Sequence, residues 1–193
     1  MRLVIAIGVA VVVAAIGFVY LGVFDVAASN HPNGAIHWLL ETTRDRSVAT
    51  RAADIAAPDL TGAELRVAGA KDFDAMCADC HTPPGRARSP LAQGLNPPPP
   101  DLAETAERLS AAEIFWTIKN GIRMSGMAAW GPTHSDEELW PVVAFVQALP
   151  ELDGHAYDEL LEQSSGSGHH HEADVDAETA ADEHHEHPHD HQH

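Results

Sequence analysis

The apolar positions along the chain fall into three regimes. From Leu3 to Phe24 no side chain is charged, with Arg2 before the run and Asp25 after it. At ~1.5 Å per residue such a helix is about 30 Å long, the depth of a bilayer's hydrocarbon core. The pattern predicts an uncleaved signal anchor over residues 1–24. A cleaved signal peptide is the alternative: Val26-Ala27-Ala28 is a passable cleavage site, but the run is longer than a usual signal core and Asp25 sits close to it. Either way the rest of the chain is exported. Residues 25–60 form a connector. Within it Ile36, Leu39, Leu40 and Thr43 recur at helical spacing, which predicts a short helix from about 35 to 50. Trp38 beside them suits two settings equally, a headgroup-level anchor or a stalk helix packed on the following domain.

Residues 61–150 read as a compact helical domain. A first helix spans about Gly62 to Met76, with Leu65, Val67, Ala70 and Phe73 as candidate core. Residues 82–100 read as a loop, since the run Pro97 to Pro100 excludes both helix and central strand. Three capping boxes then open helices: Asp101 with Glu104, Ser110 with Glu113, and Ser135 with Glu138. Gly121 ends the second of these and Pro150 stops the last. Pro141 is a misfit that predicts either a kink or a later helix start. No stretch alternates with period two, so the fold class is all-α. Few large apolar groups make a thin core, which a bulky apolar cofactor would fill. Residues 151–168 read as a short polar helix and a Ser/Gly linker. Residues 169–193 contain Val175 as their one large aliphatic residue and read as a disordered tail.

Charge refines this picture. Of 193 residues, 29 are Asp or Glu and 11 are Lys or Arg, for a net charge of −18. Such acidity opposes nucleic-acid binding. No Lys or Arg lies beyond residue 150, so the acidity belongs largely to the tail.

The chain's two cysteines carry its chemistry. Cys77-Ala78-Asp79-Cys80-His81 is C-x-x-C-H, the attachment signature of c-type haem. Cysteines three apart on a turn can form thioethers to one porphyrin edge, and the next residue sets an imidazole beneath the iron. A thioredoxin-like motif would sit near a β-α-β pattern, and a structural zinc site would need further ligands. The sixth ligand is sought downstream among Met127, Met124 and His134. Met127 is the preferred choice, in a loop flanked by Gly126 and Gly131. A thioether suits an electron carrier, whereas an open iron site would suit an enzyme or a sensor.

These residues resemble a class I cytochrome c over about 61–150. The likeness is to membrane-anchored bacterial monohaem cytochromes and to the haem-c domains of high-affinity terminal oxidases. It rests on Gly69 and Phe73 ahead of Cys77, on the haem motif, and on Gly94-Leu95-Asn96-Pro97 with Pro99-Pro100-Asp101-Leu102. It rests also on Ile118 to Ile122 leading into Gly126-Met127, and on Leu139-Trp140 with Val142 to Val146 and Leu149. The resemblance implies one covalent haem c on Cys77 and Cys80, with His81 and Met127 as axial ligands. It implies that the first and last helices cross closely at Gly69, with Phe145 packed there. The family usually has proline after the axial methionine, where this chain has Ala128.

The function implied is a membrane-tethered electron carrier, not an enzyme in itself but able to serve as an oxidoreductase subunit. It would work on the periplasmic side of a bacterial inner membrane, between a redox protein donor and an acceptor, with no small-molecule substrate. Arg86, Arg88, Lys119 and Arg123 would give the haem edge a positive docking rim, or be ordinary solvated charges. The alternative is a metal-handling protein. Its support is the tail, where His169, His170, His171, His184, His185, His187, His189, His191 and His193 alternate with acids and suit copper, nickel or zinc.

Overall fold

Two helices of the body meet where one of them has no side chain. In the computed structural model, which describes residues 1–30 and 34–165, Gly69 lies on α3 (Ala63–Met76) against α7 (Asp136–Ala148). A Cβ on Gly69 would stand 1.9 Å from the Pro141 carbonyl oxygen and 2.9 Å from the Phe145 Cβ. The absent side chain lets the backbones touch, as the resemblance implied. Phe73 and Phe145 then stack at a tilt with ring centroids 5.0 Å apart. Leu139, Val142, Val143, Phe145 and Val146 of α7 are all buried, so this helix is the axis of the core.

The remaining elements surround that pair. α1 (Arg2–Tyr20) stands apart with no residue buried, and is long and apolar enough to cross a membrane. α2 (Gly34–Ala52) packs its last turns on α6 (Ala111–Asn120), burying Val48 and Ala52. α5 (Leu102–Arg108) lies against α7. A 3-10 turn (Leu149–Glu151) then leads into α8 (Gly154–Ser165), which lies against α3. Between α6 and α7, Phe115 stacks face to face on Trp140 at 4.0 Å. The described residues contain helices and no strand, so the molecule is all-α.

The capping signals act at all three starts, in two ways. Ser110 and Ser135 each accept a bond from the amide three residues on, and the Glu113 and Glu138 carboxylates accept one from the serine amides. Asp101 caps α5 by accepting from the Ala103 and Glu104 amides, but Glu104 does not complete a box. A second carboxylate reaching back would face the first. Ser135 also fixes the start of α7, so Pro141 sits inside a continuous helix rather than ahead of a late one. The stretch read as a loop over 82–100 holds one short helix, α4 (Pro90–Gly94). Ser89 caps it, accepting from the Ala92 amide, and Pro90 occupies the first turn, where its missing N–H costs nothing. Leu65 and Val67 are half-buried rather than core.

α8 supplies the core with a residue that the polar character of 151–165 conceals. Tyr157 is 1 % exposed, lies edge-on to Phe73, and donates its hydroxyl proton to Asp74 at 2.6 Å. Burial, and then the Asp74 bond, raise its pKa above the ordinary 10.0. An unfolded chain releases this proton near that ordinary value while the folded chain keeps it. Stability from this group is therefore complete below pH 10 and falls as pH rises above it. Tyr157→Phe is expected to lower stability by about 1 kcal/mol at neutral pH, and to flatten the decline above pH 10. Urea melts at a series of pH values check both; parallel declines in the two proteins would refute the second.

Candidate functional site

The end of α3 builds a tight turn. The amides of Cys77 and Ala78 both donate to the Phe73 carbonyl, at 2.8 and 3.0 Å, which closes the helix. The amides of Cys80 and His81 then return to the Cys77 carbonyl, at 3.0 and 2.7 Å. One carbonyl thus gathers the motif, and neither cysteine is in a disulfide. Cys77 is buried in the apolar cluster and Cys80 is half-buried. Burial, followed by the proximity of Cys80 and Asp72, pushes the Cys77 thiol up to about 12.

His81 is buried and held by its ring. Its Nδ1 lies 3.1 Å from the Pro100 carbonyl oxygen. A carbonyl can only accept, so Nδ1 carries the hydrogen and Nε2 keeps its lone pair. Burial lowers the pKa of this imidazole, against the weaker opposing pull of the Pro100 carbonyl, so the ring is held neutral. Proline has no N–H, so the run before Pro100 offers carbonyls and no competing donors. Asp101 follows at once as the cap of α5, which fixes where the carbonyl points.

Met127 sits on a loop that ties itself together. Gly121 ends α6 at φ 63°, where a Cβ would meet the backbone of Met127, Ala128 and Ala129 at 2.7 Å. The Ile122 amide donates to the Met127 carbonyl at 3.1 Å. Ser125 accepts from the Met127 amide at 3.1 Å and donates to the Ile122 carbonyl at 2.7 Å. The Trp130 and Gly131 amides bond back to Ile118 and Lys119 of α6. Met127 is thereby laid, half-buried, against the cluster that contains Cys77.

The two other candidates sit differently. Met124 is 90 % exposed, at a positive φ on the outside of the loop. His134 has its Nδ1 on the Thr133 hydroxyl at 2.9 Å, and its ring stands edge-on to Trp130. The tail histidines, His169 to His193, lie outside the described residues. Among the described residues no group of three or more His, Cys, Asp or Glu is placed to hold a metal ion.

The basic residues expected as a rim divide into two kinds. Arg86 pairs with Asp158 of α8, and Lys119 pairs with Asp136 at 2.5 Å while lying over the Phe115 ring. Each of these cations thus has an acidic partner beside it at the surface. Arg88 and Arg123 are exposed and have no ion pair among the described residues.

Several supporting contacts were not specified by the sequence. The Pro100 carbonyl and the Ser125 hydroxyl are single atoms chosen by the fold. Asn96 is another: its side-chain amide donates to the carbonyls of Ala28 and Asn30, tying the segment after α1 to the proline loop.

Residues 65–146 match the family model described as cytochrome c oxidase, cbb3-type, subunit III. The match runs from the first turn of α3 into the last turn of α7 and so contains Cys77, Cys80, His81, Pro100 and the Met127 loop. No curated protein and no solved structure matches the chain.

Proposed function

Because residues 65–146 form a c-type cytochrome domain like those of cbb3 oxidase subunits, we propose that the chain is a monohaem electron carrier tethered to the membrane by α1. A c-type cytochrome domain is an electron-transfer unit with covalently bound haem c and redox protein partners. The donor set fits that group. Two unbridged thiols lie on one turn, and the imidazole beside them is neutral with Nε2 unprotonated. A thioether packs against the same cluster. Cys77 and Cys80 would form the thioethers, and His81 and Met127 would be the axial ligands.

The haem supplies the chemistry, a reversible one-electron change at iron. The chain's residues orient and insulate it. The Pro100 carbonyl keeps His81 in one tautomer and one rotation. The Ser125 and Gly121 contacts hold the Met127 loop. The apolar cluster of Phe73, Ile114, Phe115 and Val142 keeps water from the interior.

The tether reading rests on α1, which is apolar, unburied and directly ahead of the body. On this reading the haem domain lies on the periplasmic face, where c-type haem is attached. The observation that carries the whole proposal is the Cys77–His81 turn with the ring pinned by Pro100. In wild-type protein the haem absorbance is expected to stay with the polypeptide through denaturing electrophoresis. In Cys77→Ser/Cys80→Ser it is expected to be lost. Haem that migrates with the double variant would overturn the attachment.

A further inference from the structure

α2 is two helices in its surroundings. Its last turns are buried on α6, at Val48 and Ala52. Its first turns are not: Trp38, Leu39 and Leu40 are 65 %, 56 % and 57 % exposed. Consecutive residues on a helix point about 100° apart, so these three large side chains girdle the helix rather than form one stripe. A helix end that is apolar around most of its circumference is not built to face water.

The chain says what surrounds it. The apolar surface does not stop with α1, since Leu21, Val23, Phe24 and Val26 are also exposed. The segment that follows is clamped to the body by Asn96, which donates to the Ala28 and Asn30 carbonyls, and folded on itself by Asp25, which accepts from the Ala27 amide and the Asn30 side chain. α2 therefore begins four residues beyond a point fixed close to where the chain leaves the apolar helix. Residues 34–40 contain no acid and no Lys or Arg. The first acid, Glu41, is paired with His37 and Arg44. An indole with an apolar body and one N–H favours the headgroup level.

Resting on the reading of α1 as a membrane anchor, we propose that the first two turns of α2, with Trp38, Leu39 and Leu40, lie in the headgroup region of the bilayer that α1 crosses. The haem domain is then held at the lipid surface by two points rather than hung from one.

The full-length holoprotein in phosphatidylcholine nanodiscs tests this. Emission of Trp38 is read as the difference between wild type and Trp38→Phe, with nitroxide lipids labelled near the headgroup or at the acyl-chain end. The expected result is loss of Trp38 emission, greater with the shallow label than with the deep one. If the protein enters the discs and neither label quenches Trp38, the girdle faces water or another protein, and the proposal is overturned. A protein that does not enter the discs refutes the anchor itself, a separate result visible in the disc elution profile.

Discussion

Met127→Ala is expected to abolish the weak sulfur-to-ferric-iron charge-transfer absorbance of the oxidised protein while leaving the covalent haem in place. Axial ligands move haem potentials over a span of ~0.8 V, and a thioether raises the potential. Its removal is expected to lower the midpoint by on the order of 0.2 V. The same variant should bind carbon monoxide rapidly when reduced, which wild type should not. Redox titration and rapid mixing check these expectations. The structure makes the experiment clean. Met127 lies on a loop whose backbone bonds do not involve its side chain, and it is only half-buried, so truncation should leave the fold intact. A spectrum and potential untouched by the substitution would move the assignment to another residue. Met124→Ala is the matched control: that side chain is 90 % exposed, and its loss should change neither readout.

Gly69→Ala is expected to be the most destabilising small substitution in the body. Its new methyl would stand 1.9 Å from the Pro141 carbonyl oxygen and 2.5 Å from the carbonyl carbon. These are backbone atoms of a buried helix and cannot rotate away, so α3 must lift from α7 and the Phe73–Phe145 contact must open. Overpacking of this kind costs about 3 kcal/mol or more, a large part of a domain's stability of roughly 5–15 kcal/mol. Urea unfolding followed by far-UV circular dichroism should show a large fall in the midpoint. Gly94→Ala, where a Cβ meets nothing within 4 Å, should lie close to wild type. A Gly69→Ala midpoint equal to that of Gly94→Ala would mean that the two helices are not pressed together here.

What could be read from the sequence was what local spacing determines. The motif Cys77, Cys80 and His81 stood out in the sequence because covalent haem attachment, the role proposed for it, demands fixed residue types at fixed spacing. Gly69, Phe73 and Phe145 were legible through resemblance. The capped starts of α5, α6 and α7 were legible because a cap is a local bond between residues three apart. The Tyr157–Asp74 bond was hidden, since its partners are 83 positions apart and the helix that carries Tyr157 is otherwise polar. α4 was obscured by the prolines around it, although Ser89-Pro90 is itself a helix start. The fate of the basic rim was equally non-local. Nothing near Arg86 in sequence announces Asp158, and Lys119 meets Asp136 across a loop. Trp38 was ambiguous because its helix does two things, packing at one end and projecting at the other.

The bond between His81 and Pro100 has a further consequence. A ring pinned by a main-chain carbonyl, itself set by a run of prolines and a capped helix, would tilt little on a change of charge at an iron that it ligates. The Met127 loop is tied by Ser125 and Gly121 in the same way. If the proposed haem is bound there, an electron arriving or leaving would meet ligands held in nearly the same positions before and after. The reorganisation energy of the exchange would then be small, and its speed would be governed by distance and driving force rather than by how far this protein must rearrange.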